Sequence, residues 1–138
     1  MSNNFEIQCN DCNNVTLDVK ADLILSSPPY GIGKIYENRK NLQEYTIWAK
    51  EIVHNLKKNL KANGAVCWQV GTFVGDKGEY IPLDLVYAPI FMEQGFTLKN
   101  RIVWKFGSGL HSDTRFSGRY EVMLWFVLDH SSYTFNLD

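Results

Sequence analysis

The stretch that most constrains this chain is Ala21-Asp22-Leu23-Ile24-Leu25-Ser26-Ser27-Pro28-Pro29-Tyr30-Gly31. Its apolar run is too short for a helix and reads as a buried strand. Two successive prolines then stop that strand. Neither can donate to a sheet ladder, and each fixes φ at about −65°. The residue before each proline is driven into extended geometry. The strand therefore ends in a stiff tetrapeptide that points out over the carboxyl edge of a sheet, the edge where open α/β sheets bind ligands. Ser27 offers a hydroxyl, Pro28 a carbonyl and Tyr30 a flat ring. That set suits holding a planar base by an exocyclic amino group. The competing reading is a rigid strand-to-loop turn, since Pro-Pro-Tyr-Gly is ordinary turn chemistry.

Around this stretch the chain alternates strands and helices. Phe5-Glu6-Ile7-Gln8-Cys9 alternates apolar and polar residues and predicts a short strand. Asn10 to Asn14 turns the chain, with Asp11 placed to form an Asx turn. Leu42, Tyr45, Trp48, Ile52, Leu56 and Leu60 recur at helical spacing. Asn41 and Glu44 have the spacing of a capping box, and Asn63-Gly64 is expected to end this helix. The stripe is assigned to the core, without chemistry. Ala65 to Gly71 predicts a second strand, joined to the first by a right-handed crossover. Gly71 to Glu79 reads as a glycine-rich loop and Pro82 to Gln94 as a second helix that opens on proline, with a kink or tightened turn at Pro89. Leu98–Lys105 and Val122–Val127 complete the strands, with a loop over Phe106–Asp113 between them.

Composition narrows the class. A chain of 138 residues with 45% hydrophobic and 21% charged content is one globular domain with a core of its own. No apolar run approaches the roughly 20 residues of a membrane span. Met1 to Phe5 lacks the basic-then-apolar pattern of a signal peptide, so the expected location is the cytoplasm. The net charge of −1 is low for a domain that grips a duplex by its phosphates alone. Lys34, Arg39 and Lys40 could touch a nucleic-acid backbone or be simply solvated. The glycines at 31 and 33 lack the spacing of a phosphate loop. Cys9 and Cys12 have C-x-x-C spacing, but no second spaced pair of ligands accompanies them, so no metal site is assigned.

Ser27-Pro28-Pro29-Tyr30 resembles the (Asp/Asn/Ser)-Pro-Pro-(Tyr/Phe/Trp) signature of the DNA amino-methyltransferases. Other segments extend the resemblance nearly end to end. They are the helix with Tyr45 and Trp48, the Asn63-Gly64 that precedes the second strand, and Arg115-Phe116-Ser117-Gly118-Arg119-Tyr120-Glu121 leading into the last strand. The resemblance implies a partial Rossmann-like α/β methyltransferase sheet, mostly parallel with one antiparallel strand and with helices on the faces. It implies methyl transfer from S-adenosylmethionine to cytosine N4 or adenine N6 of a base flipped out of DNA. The implied catalytic residues are Ser27, Pro28, Pro29 and Tyr30, with Asp11 and Ser27 at the cofactor. Serine in the first slot favours cytosine N4, and adenine N6 is the alternative.

One part of the family pattern is not found. The family places a Phe-x-Gly-x-Gly strand beside the methionine end of the cofactor. Phe106-Gly107-Ser108-Gly109 is out of register for that role and lies between core strands. The expectation is therefore a catalytic half, 1–138, lacking the cofactor glycine motif and the target-recognition region. Its central strand would become an edge with unpaired backbone groups, covered by a second polypeptide, a copy of the chain or the N-terminal strand. A non-enzymatic remnant unable to hold the cofactor is the rival from a different class.

Overall fold

The computed structural model describes residues 5–108 and 113–136. Met1 to Asn4, Gly109 to Ser112, and Leu137-Asp138 lie outside the described residues. The second glycine of the out-of-register cofactor pattern and the middle of the Phe106–Asp113 loop therefore lie outside them too.

Four strands form one sheet: β1 (Ala21–Ser26), β2 (Leu60–Val70), β5 (Thr97–Lys105) and β6 (Tyr120–Val127), in the spatial order β1-β2-β6-β5. β1 pairs with β2 in parallel, while β6 runs antiparallel to both of its neighbours. Three strands thus point one way and one the other, as the sequence implies. Helices α1 (Leu42–Asn59) and α2 (Asp84–Glu93) connect them. Between β2 and α2 the chain forms a small antiparallel hairpin, β3 (Thr72–Val74) with β4 (Tyr80–Pro82). The glycine-rich composition of this segment suggests only a loop.

Both helices lie on the same side of the sheet. Alternate residues of β2 (Val66, Trp68, Val70) and β6 (Val122, Leu124, Phe126) face them and are buried, the period-2 consequence of a sheet with one covered face. From α1 and α2, Tyr45, Ala49, Ile52, Val53, Tyr87, Ile90 and Phe91 fill the same core. Arg101 of β5 reaches across to α2. Its Nε donates to Oδ2 of the buried Asp84 at 2.7 Å, where the carboxylate also suits the positive end of the helix.

The opposite face is largely bare. Leu23 and Leu25 of β1 are 55% and 66% exposed, and β1 has no partner strand on its outer edge among the described residues. The C-terminal segment covers part of this face, where Phe135 packs 5.2 Å from Trp125 and Tyr133 5.9 Å from it.

Three boundaries differ from the sequence reading. Residues 5–9 form no strand and are exposed, Phe5 at 83% and Ile7 at 86%. Alternation alone makes no strand without a ladder partner. The next residues are instead tied to α1, where Asn59 Nδ2 donates to the Val15 carbonyl (3.0 Å) and Asn59 Oδ1 accepts from the Leu17 amide (2.8 Å). Second, α1 ends at Asn59, four residues before Asn63-Gly64, which lies inside β2. Lys61, beyond the helix, pairs with Asp22 across the β1–β2 ladder at 2.8 Å. Third, α2 starts at Asp84, because Pro82 closes β4 rather than opening the helix. The capping box at the start of α1 forms as read, with Asn41 Oδ1 accepting from the Glu44 amide and Glu44 Oε2 from the Asn41 amide.

Candidate active site at the carboxyl edge of the sheet

The tetrapeptide Ser27-Pro28-Pro29-Tyr30 leaves β1 one residue beyond its last pairing, Ser26 with Trp68. Ser27 and Pro29 are exposed, Pro28 is buried and Tyr30 is half-buried. The turn does project over the carboxyl edge. Ser27, Pro28, Pro29, Tyr30 and Tyr36 line a cleft of about 450 Å³. A second cleft of about 360 Å³ shares Pro29 and Tyr36 with the first, and its wall includes Asp11. The structure thus brings Asp11, 16 residues upstream of Ser27, to the neighbourhood of the Pro-Pro turn. Asp11 is also the cap of a 3-10 turn (Cys12–Asn14), its Oδ1 accepting from the Asn13 amide at 2.9 Å. Asp11 is thus the turn former, and it also borders the second cleft.

Tyr30 is held more firmly than a free stacking platform would be. Its ring lies against the end of β2: a Cβ placed on Gly71 would fall 2.7 Å from Tyr30 Cε2 and 3.0 Å from Glu121 Oε1. Burial pushes the Tyr30 hydroxyl up to about 12. The Ser27 hydroxyl beside it pulls in the other direction, and the nearby Glu121 carboxylate adds to the rise. Glu121 is fixed in turn by Gln69, whose Nε2 donates to Glu121 Oε2 at 2.7 Å. Replacing Gly71 by alanine therefore collides with a ring and a carboxylate at once. We expect Gly71→Ala to cost about 1–3 kcal/mol in urea unfolding, the range for overpacking a filled site, with far-UV circular dichroism unchanged.

The loop after the turn is closed by a carboxylate. Glu37 accepts from the amides of Gly31 (2.7 Å), Ile32 (3.1 Å) and Lys34 (3.3 Å). Gly31 and Gly33 take φ of 71° and 77° there, conformations that favour glycine. The amides that a phosphate loop would offer to a ligand are thus occupied by Glu37. Of the cations singled out in this loop, Arg39 is committed to Asp76 at 2.7 Å.

Beneath the turn, on the core side, Tyr45 donates its hydroxyl to the Pro29 carbonyl at 2.9 Å and lies 3.1 Å from the Tyr87 hydroxyl. Burial raises both hydroxyls well above the ordinary tyrosine range, and for Tyr45 the neighbouring Tyr87 adds to the rise. The sign of the pH effect follows. Below about pH 10 both tyrosines are protonated whether the chain is folded or not, and their contribution to stability is intact. Above it the unfolded state ionises first. Stability then falls with rising pH, by about 1.4 kcal/mol per pH unit for each such group. Urea midpoints measured across the alkaline range should therefore drop above about pH 10, with a shallower slope in Tyr87→Phe.

Sequence reasoning named Ser27, Pro28, Pro29, Tyr30 and Asp11, and the structure gathers all five around two adjoining clefts. It missed Tyr36, Glu37, Gln69 and Gly71 as site residues, and it used Glu121 only as part of a motif. Glu121 reaches Tyr30 because the antiparallel β2–β6 register sets Val70 against Val122. No spacing along the chain encodes that pairing.

A mixed sheet with helical crossovers and a Pro-Pro turn at its carboxyl edge places the chain in a methyltransferase-type α/β class. A putative DNA modification methylase of Thermus thermophilus, complexed with S-adenosyl-L-methionine, superposes with a TM-score of 0.69 at 16% identity, over 92% of this chain and 54% of that one. The cytosine-N4-specific PvuII DNA methyltransferase gives 0.66 at 17% identity, over 86% of this chain and 45% of that one. At these identities the agreement is one of fold. The N6_N4_Mtase model, described as DNA methylase, matches residues 21–138, and the chain belongs to that family. The Type II methyltransferase M.BglII of Bacillus subtilis is 44% identical over 131 residues. That match takes in 93% of this chain and 36% of the relative, so the chain spans little more than a third of that protein's length. No helix among the described residues is long and apolar enough to cross a membrane.

Proposed function

We propose that this chain is the catalytic half of a DNA amino-methyltransferase, acting on the exocyclic amino group of a base flipped out of DNA. The observation that carries the reading is the cleft at the end of β1, where an exposed Ser27 hydroxyl, the Pro-Pro turn and the Tyr30 ring meet. An amino nitrogen inside a base stack is out of reach, so the base must be extruded. Ser27 Oγ and the Pro28 carbonyl accept hydrogen bonds from the amino group. This orients the nitrogen lone pair along the line of transfer, and the exposed part of the Tyr30 ring stacks on the base. Positioning of this kind supplies much of the rate in a direct transfer. Cytosine N4 is the favoured target because serine occupies the first slot of the signature. Adenine N6 is the alternative.

S-adenosylmethionine is the methyl donor of this reading. The cleft with Asp11 and Tyr36 offers a carboxylate and a ring to an adenosine moiety. The described residues offer no glycine-rich cradle for a methionine moiety, and the place for one lies beyond the free edge of β1. The fit is therefore to one end of the cofactor. The exposed Leu23 and Leu25 and the unpaired edge support a further stretch of sheet here. It would come from another part of a longer protein or from a second polypeptide, together with the DNA-reading segment.

The test is methyl transfer from labelled S-adenosylmethionine to DNA, with the complementary region of a relative supplied in trans or fused. Mass spectrometry of the digested DNA then identifies the methylated base. N4-methylcytosine supports the favoured target and N6-methyladenine overturns that preference alone. Absence of transfer, in a complex that binds both cofactor and DNA, overturns the enzymatic reading in favour of a binding module.

A further inference from the structure

We infer that Tyr45, backed by Tyr87, is a positioning residue that fixes the peptide plane from which Tyr30 projects. The sequence assigns Tyr45 to the core, and its ring is fully buried there. Packing alone needs no hydroxyl at that place, and a buried hydroxyl is costly unless it is bonded. Its bonds have a defined direction. The Pro29 carbonyl can only accept, so the single Tyr45 proton goes to it, and the Tyr87 hydroxyl at 3.1 Å must be the donor to Tyr45. The result is a two-step chain, Tyr87 O–H to Tyr45 O–H to the Pro29 carbonyl. Each bond polarises the next, and the Tyr45–Tyr87 link lies in the buried core.

That carbonyl belongs to the peptide unit that links Pro29 to Tyr30. A peptide unit is planar, so holding its oxygen also fixes the Tyr30 N–H and the direction in which Tyr30 leaves the turn. The same Tyr45 ring lies under the residue on the other side: a Cβ on Gly31 would fall 2.7 Å from Tyr45 Cδ2. Tyr45 therefore brackets Tyr30, by a hydrogen bond before it and by ring contact after it. Gly71 and Glu121 hold the Tyr30 side chain from the outside, and the Tyr45–Tyr87 pair holds its backbone from the inside. The functional weight of this device rests on the reading that the turn receives a base.

The test uses Tyr45→Phe and Tyr87→Phe in the 138-residue chain. Both keep the ring in the core and remove one link. We expect Tyr45→Phe to shift the Pro29 carbonyl and Tyr30 amide resonances, because the peptide plane that joins them loses the donor that holds its oxygen. Tyr87→Phe should move the same signals less. A hydroxyl with a purely structural role would lower the unfolding midpoint and leave these signals in place, and that result overturns the inference. If Tyr45→Phe does not fold, the Tyr87→Phe spectra decide in the same way. A loosened turn together with unchanged methyl transfer in the completed enzyme would uphold the positioning but overturn the proposed use of the turn.

Discussion

Ser27→Ala is expected to lower methyl transfer by about a hundredfold in the completed enzyme while leaving the melting temperature nearly unchanged. Ser27 is exposed and its hydroxyl meets that of Tyr30 at the cleft, so alanine forfeits little packing. That hydroxyl is, on the proposed reading, one of two acceptors that orient the amino nitrogen. A misoriented reacting group costs on the order of 10²-fold in rate. Tyr30→Ala should reduce transfer as well, but with a different profile. It removes a stacking surface worth roughly 1–3 kcal/mol per base. It also leaves Glu121, held by Gln69, without the hydroxyl beside it. Single-turnover rates and thermal melts on both variants separate the two effects. Equal losses of rate and stability in Ser27→Ala would return the tetrapeptide to a mere turn.

The largest effect on stability is expected away from the site, at Phe91. This residue of α2 is fully buried and stacks on Phe126 of β6, with centroids 4.2 Å apart and planes 12° from parallel. Trp68 and Phe96 approach it edge-on at 5.7 and 5.1 Å. It thus joins α2 to both central strands, and Tyr87, the donor behind Tyr45, lies one turn away on the same helix. Phe91→Ala removes these contacts and leaves a cavity, at a cost of about 3–5 kcal/mol. For a domain of this size that is a large part of the total stability. Denaturant unfolding should show the midpoint falling steeply. Loss of cooperativity would indicate that α2 detaches from the sheet before the rest unfolds.

The features most legible in the sequence were those written locally. The β1 strand and its proline stop, the capping box at Asn41 and Glu44, and the strand–helix–strand order all depend on neighbours within a few residues. The single antiparallel strand and the family resemblance were legible too, because the motifs recur in order along the chain. What escaped was set by pairing at a distance. Phe5 to Cys9 alternates like a strand but has no ladder to join, and Asn55 and Asn59 of α1 take the backbone groups that follow it. Asn63-Gly64 looks like a helix stop, yet pairing with β1 draws the chain into β2 from Leu60 onward. Glu121 and Gln69 meet Tyr30 only because β6 pairs with β2. The hold on the Tyr30 ring was likewise invisible, since it depends on Gly71 leaving room for the ring. The ring that the sequence presents as a free face is pinned on one side by that glycine.

The proposed chemistry requires that a base enter the cleft at Tyr30. Irradiating the chain with a single-stranded oligonucleotide that carries 5-iodocytosine, and then sequencing the cross-linked peptides, measures this without knowledge of the recognition sequence. The expected result is a cross-link at Tyr30 that competing cytosine-containing oligonucleotide suppresses. Cross-links that form elsewhere and leave Tyr30 unmodified would contradict it.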